Sequence, residues 1–367
     1  MLSSLDPARI LIVRPSALGD VCRSVPVAAS LKKRWPSAHI DWLVQDGFED
    51  AVNAHPAVDG CVRFERKQLA RWWYHPPTTA RLGRFLKSLN KAHYDLVVDC
   101  QGLSRSGFFT WVTRASVRVG SRQAREAAWL GYNRRAETGH CVHTVDRMLA
   151  ILETINVPAI KDMQLYISDK NAAWWNIYRK EIGIGDDPYV VLAPTSRWAS
   201  KRWPTQKWSL LAAALLSEKD ICRKQHVVII GAPGEQSQIV GVRHGNEGEL
   251  RLHDCCGSFS VGQTMAVIES SQLVVANDSA PLHMAVGLNT PIVALFGPTD
   301  PEKVGPYGRS DAVLQHVNGD ELENVNYRST QPGSLWMDRI ELDEVVEASL
   351  HAVSKGVAPR ATEEQAS

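Results

Sequence analysis

The chain has 367 residues, 44% hydrophobic and 22% charged, enough for two domains that each bury a core, and its formal net charge is +1. That balance argues against a bulk electrostatic partner such as duplex DNA, so no nucleic acid is expected, and no apolar run approaches the roughly 18 residues a membrane-spanning helix needs. The 7 cysteines are scattered, Cys255 and Cys256 are adjacent and no C-x-x-C pair occurs, which favours reduced thiols and argues against zinc.

The start Met1-Leu2-Ser3-Ser4-Leu5-Asp6 lacks the basic opening and long apolar core of a signal peptide, so a cytoplasmic protein is expected. Apolar runs at residues 10–13, 40–44, 62–64 and 96–98 read as strands. Between them, 21–35 and 80–92 carry apolar residues at helical spacing with Lys and Arg on the other face, and 145–155 reads as a further helix. Pro158 and the Gly, Asp and Pro residues of 183–188 interrupt the pattern and bracket a linker. A second series then places strands at 189–193, 226–230, 273–276 and 292–296, with helices at 206–217, 261–270, 282–287 and 342–354.

Strands alternating with helices of this length imply parallel sheets built from βαβ crossovers. The expected organisation is a Rossmann-like domain over 1–165, a linker region over 166–188, a second Rossmann-like domain over 189–340, a terminal helix over 341–355 and a disordered tail over 356–367. Each half has one polar turn between a strand and a helix: Pro15-Ser16-Ala17-Leu18-Gly19-Asp20 in the first, Asn277-Asp278-Ser279-Ala280-Pro281-Leu282-His283 in the second. A helix N-terminus presents unpaired N–H groups and a positive dipole end, a seat for phosphate. The first turn adds a carboxylate suited to proton transfer. A dinucleotide-binding oxidoreductase is disfavoured, because the first turn lacks G-x-G-x-x-G and Gly231-Ala232-Pro233-Gly234 has no third glycine at the required spacing.

Further strings are Ile10-Leu11-Ile12-Val13-Arg14, Asp41-Trp42-Leu43-Val44 before Gly47-Phe48, Asp99-Cys100-Gln101-Gly102-Leu103, Ala124-Arg125-Glu126 and Tyr132-Asn133-Arg134-Arg135. The second half adds Lys201-Arg202-Trp203-Pro204 and Phe296-Gly297-Pro298-Thr299-Asp300-Pro301. In this order, from about Ile10 to about Leu350, they make a chain that resembles the bacterial ADP-heptose:lipopolysaccharide heptosyltransferases. The resemblance implies an α/β protein in the GT-B arrangement, two Rossmann-like domains with parallel sheets facing a central cleft. It implies inverting transfer of heptose from ADP-heptose to a Kdo-lipid A type acceptor, and the lack of an Asp-x-Asp motif in a plausible site adds the expectation of chemistry with no metal and no cofactor. A related transferase with another acceptor or donor, or a non-catalytic nucleotide-sugar-binding homologue, are the alternatives.

Under that resemblance Asp20 matches the catalytic aspartate of a Leu-Gly-Asp motif, and Gly19 lets the backbone approach the sugar. Lys201 matches a lysine before the Trp-Pro pair and, with Thr195 and Ser196, stabilises the leaving diphosphate. Two departures stand out: the loop Trp198-Ala199-Ser200 replaces a shorter acidic one, and Ala280 stands where glycine is common. Donor contacts are expected from Glu235, Phe259, Asp278, Ser279, Ala280 and His283, and acceptor contacts from Ser16, Gly19, Arg125 and His143. The basic run Arg63, Arg66, Lys67 and Arg71, beside Trp72-Trp73, suits an anionic acceptor and a peripheral contact with the inner membrane.

Overall fold

Near-continuous runs of Val, Ile and Leu can be satisfied only where both faces of a sheet are covered, as in parallel α/β sheets. The computed structural model describes residues 5–69, 75–217, 225–317, 319, 321 and 335–355. Among these, twelve strands form two six-stranded sheets. The first comprises β1 (Arg9–Val13), β2 (His39–Gln45), β3 (Gly60–Phe64), β4 (Leu96–Asp99), β5 (Val117–Ser121) and β6 (Arg134–Ala136). The second comprises β7 (Tyr189–Ala193), β8 (His226–Ile229), β9 (Leu252–Asp254), β10 (Leu273–Asn277), β11 (Ile292–Leu295) and β12 (Val313–Leu314). Every pairing is parallel.

The first sheet has the order β3-β2-β1-β4-β5-β6, and the second, read from β9, repeats it as β9-β8-β7-β10-β11-β12. Strand order therefore reverses between β1 and β4 in one sheet and between β7 and β10 in the other. In open α/β sheets ligands bind beyond the strand C-termini at this reversal. All four of these strands are buried apart from Arg9 at the start of β1.

Chain contacts divide the molecule into two units, Met1–Ile167 and Ser168–Ser367. The core of the first gathers Leu11, Leu43, Phe64, Val97 and Phe109; that of the second gathers Val190, Trp203, Trp208, Val275 and Leu295. The helix expected over 21–35 is two helices, Leu18–Cys22 and Val25–Arg34. Pro26 lies in the opening turn of the second. It lacks an N–H and its ring would strike the carbonyl one turn back, so the helix restarts there. The segment 166–188 contains a helix of its own, Asp169–Glu181, whose Trp175 packs edge-on against Tyr189 of β7. The terminal helix Leu342–Lys355 buries Val345 in the second core. The tail 356–367 lies outside the described residues.

Candidate functional site

The first unit concentrates its polar chemistry where β1 and β4 end. Helix Leu18–Cys22 starts earlier than the sequence pattern indicates, placing Asp20 in its first turn. One Asp20 carboxylate oxygen takes Arg14 at 3.0 Å, and the other takes Arg23. Both arginines are buried, while the Asp20 side chain retains 26% exposure. Each carboxylate oxygen has more than one acceptor direction, so the two guanidinium groups fix the carboxylate without exhausting it. Arg14 also donates to the carbonyl of Cys100, and the Ser16 N–H donates to Gln101 Oε1 at 3.3 Å. These bonds tie the loop after β1 to the loop after β4. Asp99 anchors that second loop, accepting from the N–H of Gln101 at 2.8 Å, from Gly102 at 3.1 Å and from the Tyr132 hydroxyl at 2.6 Å. Burial pushes its carboxyl above the usual range, against the pull of those donors.

Gly19 and Ser16 lie half-buried in the Asp20 turn. Arg125 is exposed, and its backbone N–H donates to the carbonyl of Gly102 at 2.9 Å. His143 caps helix Thr144–Glu153, its Nδ1 accepting from the N–H of Val145 at 3.1 Å. Arg63 pairs with Glu49 at 2.7 Å. Arg66 is exposed at the start of helix Arg66–Leu69. The Lys67 side chain, Arg71, Trp72 and Trp73 lie outside what is described.

The second unit repeats the arrangement at β7 and β10. Asn277, wholly buried at the end of β10, donates to the carbonyl of Pro194 at 2.7 Å and accepts from the N–H of Trp203. It thereby joins the loops that carry Asp278 and Lys201. Lys201, in the short turn Ala199–Lys201, contacts Asp278 Oδ2 at 2.5 Å, and the Thr299 hydroxyl donates to the same oxygen at 2.8 Å. Burial alone pushes the Asp278 carboxyl upward, but the charges of Lys201 and then His283, with the Lys201 and Thr299 hydrogen bonds, hold it below its usual value. Thr195 and Ser196 are buried just past β7. The Ser196 N–H donates to Gln238 at 3.1 Å, and its carbonyl accepts from Arg202 Nε at 2.8 Å.

Helix Ala280–Gly287 follows Ser279, whose side chain does not cap it. The buried Ser279 Oγ has no hydrogen-bond partner among the described residues. The first N–H groups of this helix likewise have no acceptor within it, except that Pro281 has none to offer. Glu235 is half-buried and accepts from the N–H of Ala232 at 3.0 Å, within charge range of Arg202. Phe259 is buried, edge-on to Trp174 at 5.2 Å and Tyr178 at 5.6 Å, which commits its ring to packing.

Sequence reading missed Arg14, Arg23, Gln101, Asn277 and Thr299 as site residues. Arg23 was within reach, since three residues from Asp20 along a helical turn is a pairing distance. Thr299 was not, because only the parallel pairing of β10 with β11 carries its loop to Asp278. Among the described residues, no three His, Cys, Asp or Glu side chains cluster as metal ligands, and no helix is long and apolar enough to cross a membrane.

Residues 82–332 match the model of the family described as glycosyltransferase family 9 (heptosyltransferase). Lipopolysaccharide heptosyltransferase 1 of Pseudomonas aeruginosa is 29% identical over 317 residues, 83% of this chain and 83% of its own. The protein of that name from Escherichia coli K12 is 26% identical over 87% of this chain and 96% of its own. Among solved structures, E. coli ADP-heptose lps heptosyltransferase II superposes with a TM-score of 0.76 at 19% identity, over 95% of this chain and 99% of that one. E. coli heptosyltransferase WaaC with ADP superposes with a TM-score of 0.67 at 26% identity, over 83% and 92%. The fold is that of these glycosyltransferases, the GT-B class of paired Rossmann-like units.

Proposed function

The chain belongs to glycosyltransferase family 9, the heptosyltransferases, and from that membership we propose that it moves heptose, with inversion, from ADP-heptose to a Kdo-containing lipopolysaccharide inner-core acceptor. The observation that carries this reading is the recurrence of chemistry at one topological place. A carboxylate fixed by two arginines ends the first unit's β1, and a lysine, a serine hydroxyl and a helix N-terminus gather beyond β7 and β10 in the second.

In the proposed reaction Asp20 takes the proton of the acceptor hydroxyl as its oxygen attacks the anomeric carbon of heptose. The bond from that carbon to the diphosphate oxygen breaks, and ADP departs with the electron pair. Arg14 and Arg23 hold the carboxylate in line, which is the positional part of general-base catalysis. Lys201, Thr195, Ser196, the Ser279 hydroxyl and the first N–H groups of helix Ala280–Gly287 receive the charge that builds on the diphosphate. His283, buried on the same helix, is assigned to support them, and Glu235 is assigned to the nucleoside ribose. Ser16, Gly19, Arg66, Arg125 and His143 are assigned to the acceptor sugars, and the enzyme works at the membrane that holds its acceptor.

The deciding experiment is Asp20→Ala, assayed by mass spectrometry with ADP-heptose and a Kdo-lipid A acceptor alongside calorimetric titration with ADP. Transfer should fall by on the order of 100- to 10,000-fold, the usual worth of a general base, while ADP affinity stays within about twofold because the nucleotide is assigned to the other unit. Turnover near that of the unmodified chain would remove Asp20 from the mechanism.

A further inference from the structure

Charge is distributed very unevenly along this chain. Residues 66–125 contain twelve Lys and Arg but only Asp95 and Asp99 as acids, in a protein whose net charge is +1. Both acids are engaged internally. Asp95 accepts the N–H groups of Ala8 and Arg9, and Asp99 is buried in the loop anchor after β4. Helix Pro76–Lys91 has no acidic residue, and Arg81, Arg84, Lys87 and Lys91 are all exposed on it. It packs against helix Ser104–Val112, with Phe85 edge-on to Phe109 at 5.3 Å.

That second helix turns a different chemistry outward. Phe108 and Trp111 are 45% and 56% exposed and stack on each other at 6.1 Å. The turn Ala128–Gly131 lies against the same helix, backbone to backbone. A Cβ on Gly107 would fall 2.3 Å from the carbonyl oxygen of Ala128, so only glycine fits there. The turn adds Trp129 and Leu130, 36% and 65% exposed, with the Arg135 guanidinium 4.6 Å over the Trp129 ring. The other large exposed apolar residues of the described chain, such as Ile177, Leu210 and Leu250, sit on separate elements and call for no explanation. Four apolar side chains on two elements in backbone contact, on a unit whose neighbouring helix carries four exposed cations, do.

We propose that helices Pro76–Lys91 and Ser104–Val112 with the turn Ala128–Gly131 form the surface by which this protein docks on an anionic phospholipid bilayer. Aromatic rings beside Arg and Lys suit the headgroup boundary, where rings enter the apolar edge and cations remain with the phosphates. Helix Ser104–Val112 starts three residues after Gln101, whose side chain holds the Ser16 N–H of the Asp20 turn. The lipid surface therefore belongs to the same unit as the Asp20 turn, the unit assigned to the lipid-linked acceptor, and in this respect the inference rests on the proposed function. The aliphatic Leu130 and this placement favour a bilayer over a nucleic acid, which would use rings and cations alone.

The test is co-sedimentation of the full chain with phosphatidylcholine vesicles, with or without phosphatidylglycerol, for the unmodified protein, for Phe108→Ser/Trp111→Ser and for Arg81→Ser/Arg84→Ser/Lys87→Ser. The unmodified chain should prefer the anionic vesicles, and the triple variant should lose on the order of 100-fold in partitioning, as expected for three cations near such a surface. The double variant should lose binding to a comparable extent. Both variants should keep ADP affinity and full turnover on a deacylated, water-soluble acceptor while losing turnover on vesicle-borne acceptor, which shows that they are folded. Equal binding to both vesicle types, variants that bind as the parent does, retention on single-stranded nucleic acid that alone responds to the substitutions, or a dimer dissolved by Trp111→Ser would each overturn the surface. If the unmodified chain transfers heptose to neither acceptor, the functional reading fails while the vesicle result still decides the surface.

Discussion

Lys201 and Asp278 share a buried contact in which each answers for the other. Lys201→Ala alone strands the Asp278 carboxylate, which typically costs about 3 to 5 kcal/mol, so lost activity in that variant would mix misfolding with chemistry. The informative variant is Lys201→Met with Asp278→Asn, which removes both charges and leaves Thr299 able to bond the amide oxygen. Its melting temperature should return most of the way to that of the parent. ADP affinity should still fall roughly 10-fold or more, since a charge-assisted bond contributes about 1.5 to 3 kcal/mol. Restored stability with unchanged ADP binding and turnover would place the lysine's role in folding only. The same pairing explains why Lys201 could be picked from the sequence while its partnership could not. The Lys-Arg-Trp-Pro string marks the position, but the carboxylate that meets it is 77 residues away.

At the level of elements, β8 and β9 bring His226 and His253 together, Nδ1 to Nε2, at 2.9 Å. One ring must donate and the other accept, which two imidazolium ions cannot do. His253 is held at about 4, below its ordinary 6.5, first by burial and then by the charge of His226; burial also lowers His226, against the pull of Asp187. Between those values the unfolded chain takes up the proton and the folded chain refuses it. The contribution of His253 to stability is therefore full above pH 6.5, declines as pH falls through that window and levels off below about 4. Denaturant midpoints measured across the window should show the decline, and His253→Gln should shrink it; a variant whose midpoints fall as steeply as the parent's would assign the effect elsewhere, His55 being the next candidate because burial likewise holds it at about 4. The central strands were legible in the sequence because burial on both faces demands unbroken apolar runs. The inner strand β5 was the exception, since Arg118 and Gly120 break its Val-Arg-Val-Gly-Ser run, and the edge strands β6, β9 and β12 were missed because they are two or three residues long and partly exposed. Helix Asp169–Glu181 escaped notice because its inward face is built from Trp and Tyr, which carry weak helical preference, next to the turn-forming residues of 183–188.

Across the whole molecule, two units with separate cores need not unfold as one. ADP is assigned to the second unit, so its binding should protect that unit first. At about 100 times the dissociation constant a ligand adds ~2.7 kcal/mol, or several degrees in Tm for a unit of this size. Calorimetry should show an ADP-dependent shift in the transition that limited proteolysis maps to residues after 168, and a shift confined to the earlier residues would move the nucleotide to the first unit. At this scale the two alternating strand–helix series and the two polar turns could be read from sequence, because each turn interrupts an apolar run within a few residues, whereas the strand order repeated in both sheets could not. The charge imbalance of residues 66–125 was concealed by a total of +1. That near-zero total has a further consequence. If one segment is so rich in cations, the remainder must carry a net negative charge, and a bilayer that attracts the first repels the second. On the proposed docking surface that attraction and that repulsion both act only over the distance salt leaves unscreened, about 10 Å at 0.1 M, so raising salt weakens the two together.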